Sequence, residues 1–171
     1  FDITDRAASA AALEKLLEAG PVQILVNNAG IHADAVFPGM TDKQWDSVID
    51  VSLNGFYNVT RPLVMAMMRT RWGRIVNISS VAGIAGNRGQ VNYAAAKGAL
   101  HAAGKSLALE LASRGITVNT VAPGYIHSNR WAVLPKTVAR RRRANVPLGR
   151  EATPEEIRNG RPLDVQTGTV H

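Results

Sequence analysis

The sequence predicts an α/β fold, a doubly wound parallel sheet, and three observations carry that prediction. Short apolar runs end in small polar residues at "VQILVNNAG" (22–30), "GRIVNISS" (73–80) and "ITVNTVAPG" (116–124). Each is short and continuous, as a strand buried on both faces is. Long stretches of helical character separate them, and strand–helix alternation of this kind builds a parallel sheet covered on both faces. In chain order, Thr4 is expected to cap a helix over "DRAASAAALEKLLEA", with Leu13, Leu16 and Leu17 at helical spacing and Gly20 as its stop. Thr41 and Gln44 have the spacing of a capping box and open one long helix through Trp45, Val48, Ile49 and Phe56 to about Met68. Met65, Met67 and Met68 are expected to fill core gaps. "NYAAAKGALHAAGKSLALELASRG" reads as a second long helix closed at Gly115. Thr153, Pro154 and Glu156 start a last helix, which Gly160 and Pro162 should stop.

At 171 residues, 46% hydrophobic and 19% charged, the chain has the make-up of one globular domain. It has no cysteine, which excludes a disulfide framework and a thiolate metal site. His32, His101, His127 and His171 have no ligand spacing, so no metal is expected. No apolar run approaches the roughly 18–20 residues that span a bilayer, which points to a cytoplasmic protein with no membrane partner. The net charge of +7 bears on partners and solubility rather than on fold. With neither a groove-reading motif nor a stacking platform, nucleic acid is not an expected partner.

Ligands of such sheets bind beyond the carboxyl ends of the strands. "NNAG", "SSVAG" and "PGYIHS" follow the three runs there, and Tyr93 and Lys97 fall in the first turns of the helix after the second loop. Residues four apart share a helix face, so Lys97 can bring a cation to the Tyr93 hydroxyl. Lowering a phenol from near 10 to neutral pH requires on the order of 4 kcal/mol, and a nearby ammonium supplies much of it. Ser80, 13 residues before Tyr93, is placed to give a second donor to the same substrate oxygen, an arrangement that suits a carbonyl becoming an alkoxide.

In this order and spacing, "NNAG" (27–30), Ser80, "YAAAK" (93–97) and "ITVNTVAPG" (116–124) resemble the short-chain dehydrogenase/reductase family. The stretch from Phe1 to about Ile157 is similar to its 3-oxoacyl-[acyl-carrier-protein] reductase branch. The resemblance implies a Rossmann-type sheet and hydride transfer from a nicotinamide cofactor to a ketone. NADPH is usual in this branch, with NADH left open. It implies Tyr93 as proton donor, Ser80 orienting the carbonyl, and Lys97 binding the ribose and lowering the tyrosine pKa. Asp2 and Ile3 match the pair at adenine; Asn28, Ala29 and Gly30 match the loop along the cofactor. Pro123, Gly124, Ile126 and Ser128 match the segment at the nicotinamide carboxamide, and Gln90 holds a substrate-pocket position. Arg71 and Arg114 match basic positions presented to acyl carrier protein, the expected partner alongside other acyl thioesters or ketones. The basic run "ARRRRANVPLGR" (139–150) lies where the family covers its substrate. A homodimer or homotetramer built on the two long helices is implied as well.

The sequence departs from the family in three places. Ser52 stands where a catalytic asparagine is usual; the serine keeps the main-chain carbonyl and is expected to bond locally, while Asn54 is not its equivalent. A "TGxxxGxG" phosphate loop does not occur in the sequence, so the first two family strands, about 60 residues at roughly 30 per βαβ step, are expected to be missing. The last family strand is expected to be missing too. The reductase domain is thus expected to be a truncated one over 1–157, with an atypical, irregular tail over 158–171. An inactive or self-associating remnant is the alternative reading, with "VQILVNNAG" as a bare apolar edge.

Overall fold

The structure, a computed structural model, describes residues 1–127, 137, 144, 146 and 148–159. Its elements are α1 (Arg6–Glu18), β1 (Ile24–Asn27), α2 (Asp42–Ile49), α3 (Gly55–Thr70), β2 (Gly73–Ile78), α4 (Ala82–Ala85), α5 (Val91–Leu111), β3 (Ile116–Val121) and α6 (Pro154–Arg158). The three strands pair in parallel in the order β1-β2-β3, the α/β arrangement expected. Leu25, Ile75 and Val118 lie in register across the sheet, and Asn27, Asn77 and Thr120 form the next row on the same face.

The strand order advances in one direction, so right-handed crossovers send both connections to one face. There Leu25, Ile75 and Val118 meet Leu63 and Met67 of α3, Leu111 of α5 and Leu13 of α1. Cover on both faces is therefore not what the described residues give. On the far face of β1, Ile24 is 62% and Val26 55% exposed.

Local chemistry altered several expected boundaries. Asp5, not Thr4, caps α1, its carboxylate accepting from Ala8 N at 2.9 Å. Thr4 is engaged elsewhere, donating from both N and Oγ1 to Asp2 Oδ1. Leu16 is exposed, one turn away from the buried Leu13 side. The Thr41–Gln44 capping box is present, but the long helix behind it is interrupted by a π-helical turn at Asp50–Asn54. One inserted residue only shifts the phase of the apolar pattern, so periodicity alone could not reveal it. Met67 fills the core as expected, whereas Met65 is 55% exposed. The segment after α5 closes at Gly115 with φ +69°, where a Cβ would also stand 2.5 Å from the Arg71 carbonyl oxygen. The capping box of Thr153 and Glu156 starts α6. The tail from residue 160 and residues 139–143, 145 and 147 of the basic run lie outside the described residues.

Candidate active site

Three loops leave the carboxyl ends of the strands and are fastened to one another. Ser79 N donates to Val121 O at 2.7 Å and Val81 N to Pro123 O at 3.0 Å, tying the loop after β2 to the loop after β3. The short α4 then lies on α5 through two glycines. A Cβ on Gly83 would come within 2.7 Å of Gly98 N and the Lys97 carbonyl carbon, and one on Gly98 within 3.0 Å of Gly83 O. This contact draws the Ser80 loop against the helix that carries Tyr93 and Lys97. Ser79 adds a buried pin, its hydroxyl donating to Lys97 O at 2.7 Å. With that proton engaged, the 2.9 Å contact to His101 Nε2 makes the imidazole the donor. Burial holds His101 below the ordinary histidine range, and the Lys105 charge acts in the same direction.

Ser80, Tyr93 and Lys97 meet on this rim. Lys97 is 3% exposed, with Nζ donating to Ile78 O, at the end of β2, at 2.7 Å. Burial pushes its ammonium below the usual lysine value. The ammonium lies 5.8 Å from the centroid of the Tyr93 ring. The sequence leads one to expect Lys97 to lower the phenol, but Tyr93 sits above its ordinary value. Burial is the main cause; the Ser80 hydroxyl acts against it and the Asp34 charge with it. Ser80 Oγ accepts from Ala82 N at 3.2 Å, which leaves its O–H to donate forward.

The π-helical turn places Ser52 beside them. Ser52 is 2% exposed and its Oγ has no hydrogen-bond partner, so the local bond expected of it is not made. Gly30 lies between it and the lysine: a Cβ there would be 3.0 Å from Lys97 Nζ and 3.6 Å from Ser52 Oγ. An open apolar cleft continues from this point along Asn28, Ala29, Ser52 and Phe56 to Ile3 and Phe1. Asp2 is exposed beside it, its carboxyl held below the usual range by the Thr4 backbone and hydroxyl. Asn54 bonds Asp50 Oδ1 on the outer side of the turn.

Gln90 is not a free pocket amide; its Nε2 donates to both Asp34 oxygens, at 3.1 and 3.0 Å. Asn92, passed over in the sequence, is fully buried. It donates to Ala33 O and Gln44 O and accepts from Tyr93 N at 2.8 Å, so it seats the tyrosine backbone. A lone amide in an alanine-rich run was the available signal. Pro123 and Gly124 line the third loop, and Ile126 bridges to Ala152. Ser128 lies outside the described residues. Arg71 and Arg114 precede β2 and β3 and thus sit at the opposite end of the sheet from the rim; Arg71 Nη2 donates to Ser113 O at 3.0 Å. Among the described residues no group of three or more acidic or histidine side chains could hold a metal, and no helix is long and apolar enough to cross a membrane.

Residues 1–138 match the family model described as short chain dehydrogenase. The chain belongs to that family. It is 45% identical over 158 residues to a 3-oxoacyl-[acyl-carrier-protein] reductase of Thermotoga maritima, covering 92% of this chain and 64% of that protein. A protein of the same description from Escherichia coli K12 is 45% identical over 160 residues, covering 93% and 66%. The acetoacetyl-CoA reductase of Cupriavidus necator is 47% identical over 140 residues, covering 82% and 57%. The chain thus spans less than two thirds of the length of these relatives. The family implies a nicotinamide cofactor, and groups on the rim suit one. The orphaned Ser52 hydroxyl borders the open cleft, and the bare Gly30 backbone lies between it and the buried Lys97 ammonium, so a sugar hydroxyl at the Ser52 end of the cleft would find a hydroxyl to bond there.

Proposed function

We propose that this protein is a carbonyl reductase acting on 3-oxoacyl thioesters, carried on acyl carrier protein or coenzyme A, with NADPH as hydride donor. The observation that carries the reading is the convergence of Ser80, Tyr93 and buried Lys97 at the carboxyl rim of a parallel sheet. A bound nicotinamide would supply a hydride for the carbonyl carbon. The chain's own residues handle the oxygen. Ser80 donates its O–H to the carbonyl and Tyr93 gives its proton to the developing alkoxide. A phenol kept above its ordinary value by burial remains protonated at neutral pH, which suits donation and hence the reducing direction. Lys97 keeps one N–H on Ile78 O and has two more for ribose hydroxyls. Ser52 faces the same space and would hold a relay water to the lysine.

Asn28, Ala29, Gly30, Asp2 and Ile3 would take the cofactor's adenosine side, and Pro123, Gly124, Ile126 and Ser128 its carboxamide side. Gln90 contributes to the substrate wall through Asp34. Arg71 and Arg114 would receive an acidic carrier protein at the far end of the sheet, where charge assists encounter more than affinity. We place the enzyme in the cytoplasm as a homodimer or homotetramer, with a reductase domain over 1–157. The reading is supported by relatives named for thioester reductions. Oxidation of NADPH or NADH by the chain in the presence of acetoacetyl-CoA tests it; no turnover with either cofactor would reject it. A second reading, a non-catalytic self-associating protein, is favoured by the exposed Ile24 and Val26 of β1.

A further inference from the structure

His32 plays no part in the chemistry above, yet its ring is stacked on that of Tyr93 with centroids 4.2 Å apart and planes at 28°. Its setting is built. His32 Nδ1 lies 4.0 Å from Asp34 Oδ1, and that carboxylate is gripped through both oxygens by Gln90 Nε2. Asn87 Nδ2 holds Gln90 Oε1 in turn at 2.8 Å. The loop bearing the imidazole is clasped to the start of α5 by Ala35 N to Gly89 O at 2.9 Å and by Asn92 Nδ2 to Ala33 O at 3.0 Å. The stack therefore joins two elements that are already fixed to each other.

We propose that His32 is a positioning residue for Tyr93: its imidazole, tethered by Asp34, covers one face of the phenol ring, fixes the ring's direction and keeps bulk water off it. The inference rests on the reading of Tyr93 as proton donor. Other groups facing the ring are Lys97 on its own helix, Ser80 from the loop after β2 and Asp34 from the loop after β1. Burial is the main cause that raises the phenol above its ordinary value, and the stacked His32 ring is a part of that cover which one substitution removes. His32 is half exposed on its outer side, so its replacement leaves the core intact.

The test is an ultraviolet titration of phenolate formation in the full chain. It has three tyrosines, and subtracting the Tyr93→Phe curve isolates Tyr93. His32→Ala is expected to lower the Tyr93 midpoint by about half a pH unit or more, because it opens a face to water. His32→Phe, which keeps a ring there, is expected to restore it. Asp34→Asn is expected to move the midpoint the same way as His32→Ala, since it removes a repelling charge and the tether together. An unchanged midpoint in His32→Ala, or equal shifts in the Ala and Phe variants, would overturn the proposal. With acetoacetyl-CoA, His32→Ala is expected to lower kcat several-fold at unchanged KM, with recovery in His32→Phe; a change in KM alone would also overturn it. Should the unsubstituted chain reduce no ketone, the proposed function fails and the titration decides the positioning role by itself.

Discussion

Tyr93 and Ser52 make opposite demands on the same rim. The phenol is half-buried and protonated, with Ser80 beside it as a second donor. Tyr93→Phe keeps the ring, the His32 stack and the Lys97 contact while removing the proton, so it is expected to lower kcat for ketone reduction by about 10²-fold or more with thermal stability within a few degrees of the parent. Steady-state kinetics and a melting curve read both; retention of more than a tenth of kcat would show another donor. Ser52 is the reverse case, a buried hydroxyl with no partner, and such a group is a burden of about 1–3 kcal/mol to the folded state. Ser52→Ala removes the burden and is expected to leave Tm equal or higher while turnover falls. A drop in Tm would mean that the hydroxyl is satisfied within the fold and has no call on a ligand.

Elements hold these residues through close contacts that leave little trace in composition. The Gly83–Gly98 contact has no room for a side chain, because the nearest atoms are backbone. Gly83→Ala is expected to push α4 away from α5, destabilise by about 1–3 kcal/mol as overpacking does, and lower kcat by moving Ser80; denaturant unfolding and kinetics check the two parts. The α6 segment makes a pH prediction. Glu156 is held down to about 2 by the Arg150 guanidinium and the Thr153 backbone N–H, below its ordinary 4.5. A depressed carboxylate stabilises above its unfolded pKa and loses that contribution as pH falls toward the folded one. The amides of Thr153, Glu156, Ile157 and Asn159 are therefore expected to lose exchange protection between pH 4.5 and about 2, and an Arg150→Gln variant should begin to lose it at higher pH. The strands, the Thr41 and Thr153 boxes and the Ser80–Tyr93–Lys97 set were legible in the sequence because each is a local pattern at fixed spacing. The π-helical turn, the Asp5 cap and the His32 stack were not. The first is a phase shift of one residue, the second a choice between adjacent acceptors, and the third joins residues that meet only in the folded chain.

Across the whole molecule the sheet is lopsided. All described cover lies on the side of Leu25, Ile75 and Val118, while β1 presents Ile24 and Val26 to solvent beside an apolar cleft that ends at the 66% exposed Phe1. Among the described residues β1 also has no strand on its outer edge, so its peptide groups there are open to pairing. Apolar side chains on an open edge make that pairing favourable, since each methylene removed from water contributes about 0.8 kcal/mol. The chain is therefore expected to self-associate at micromolar concentration, which light scattering with size-exclusion chromatography measures directly. Placing charge on the same face isolates the cause. Val26→Lys, alone or with Ile24→Lys, is expected to shift the population toward monomer, and both side chains are already largely exposed, so the core stays packed. A monodisperse parent monomer would remove β1 as the contact. An oligomer unchanged by the double substitution would assign association to the long helices α3 and α5, where Met65 at 55% and Leu109 at 78% exposure offer the other apolar surface.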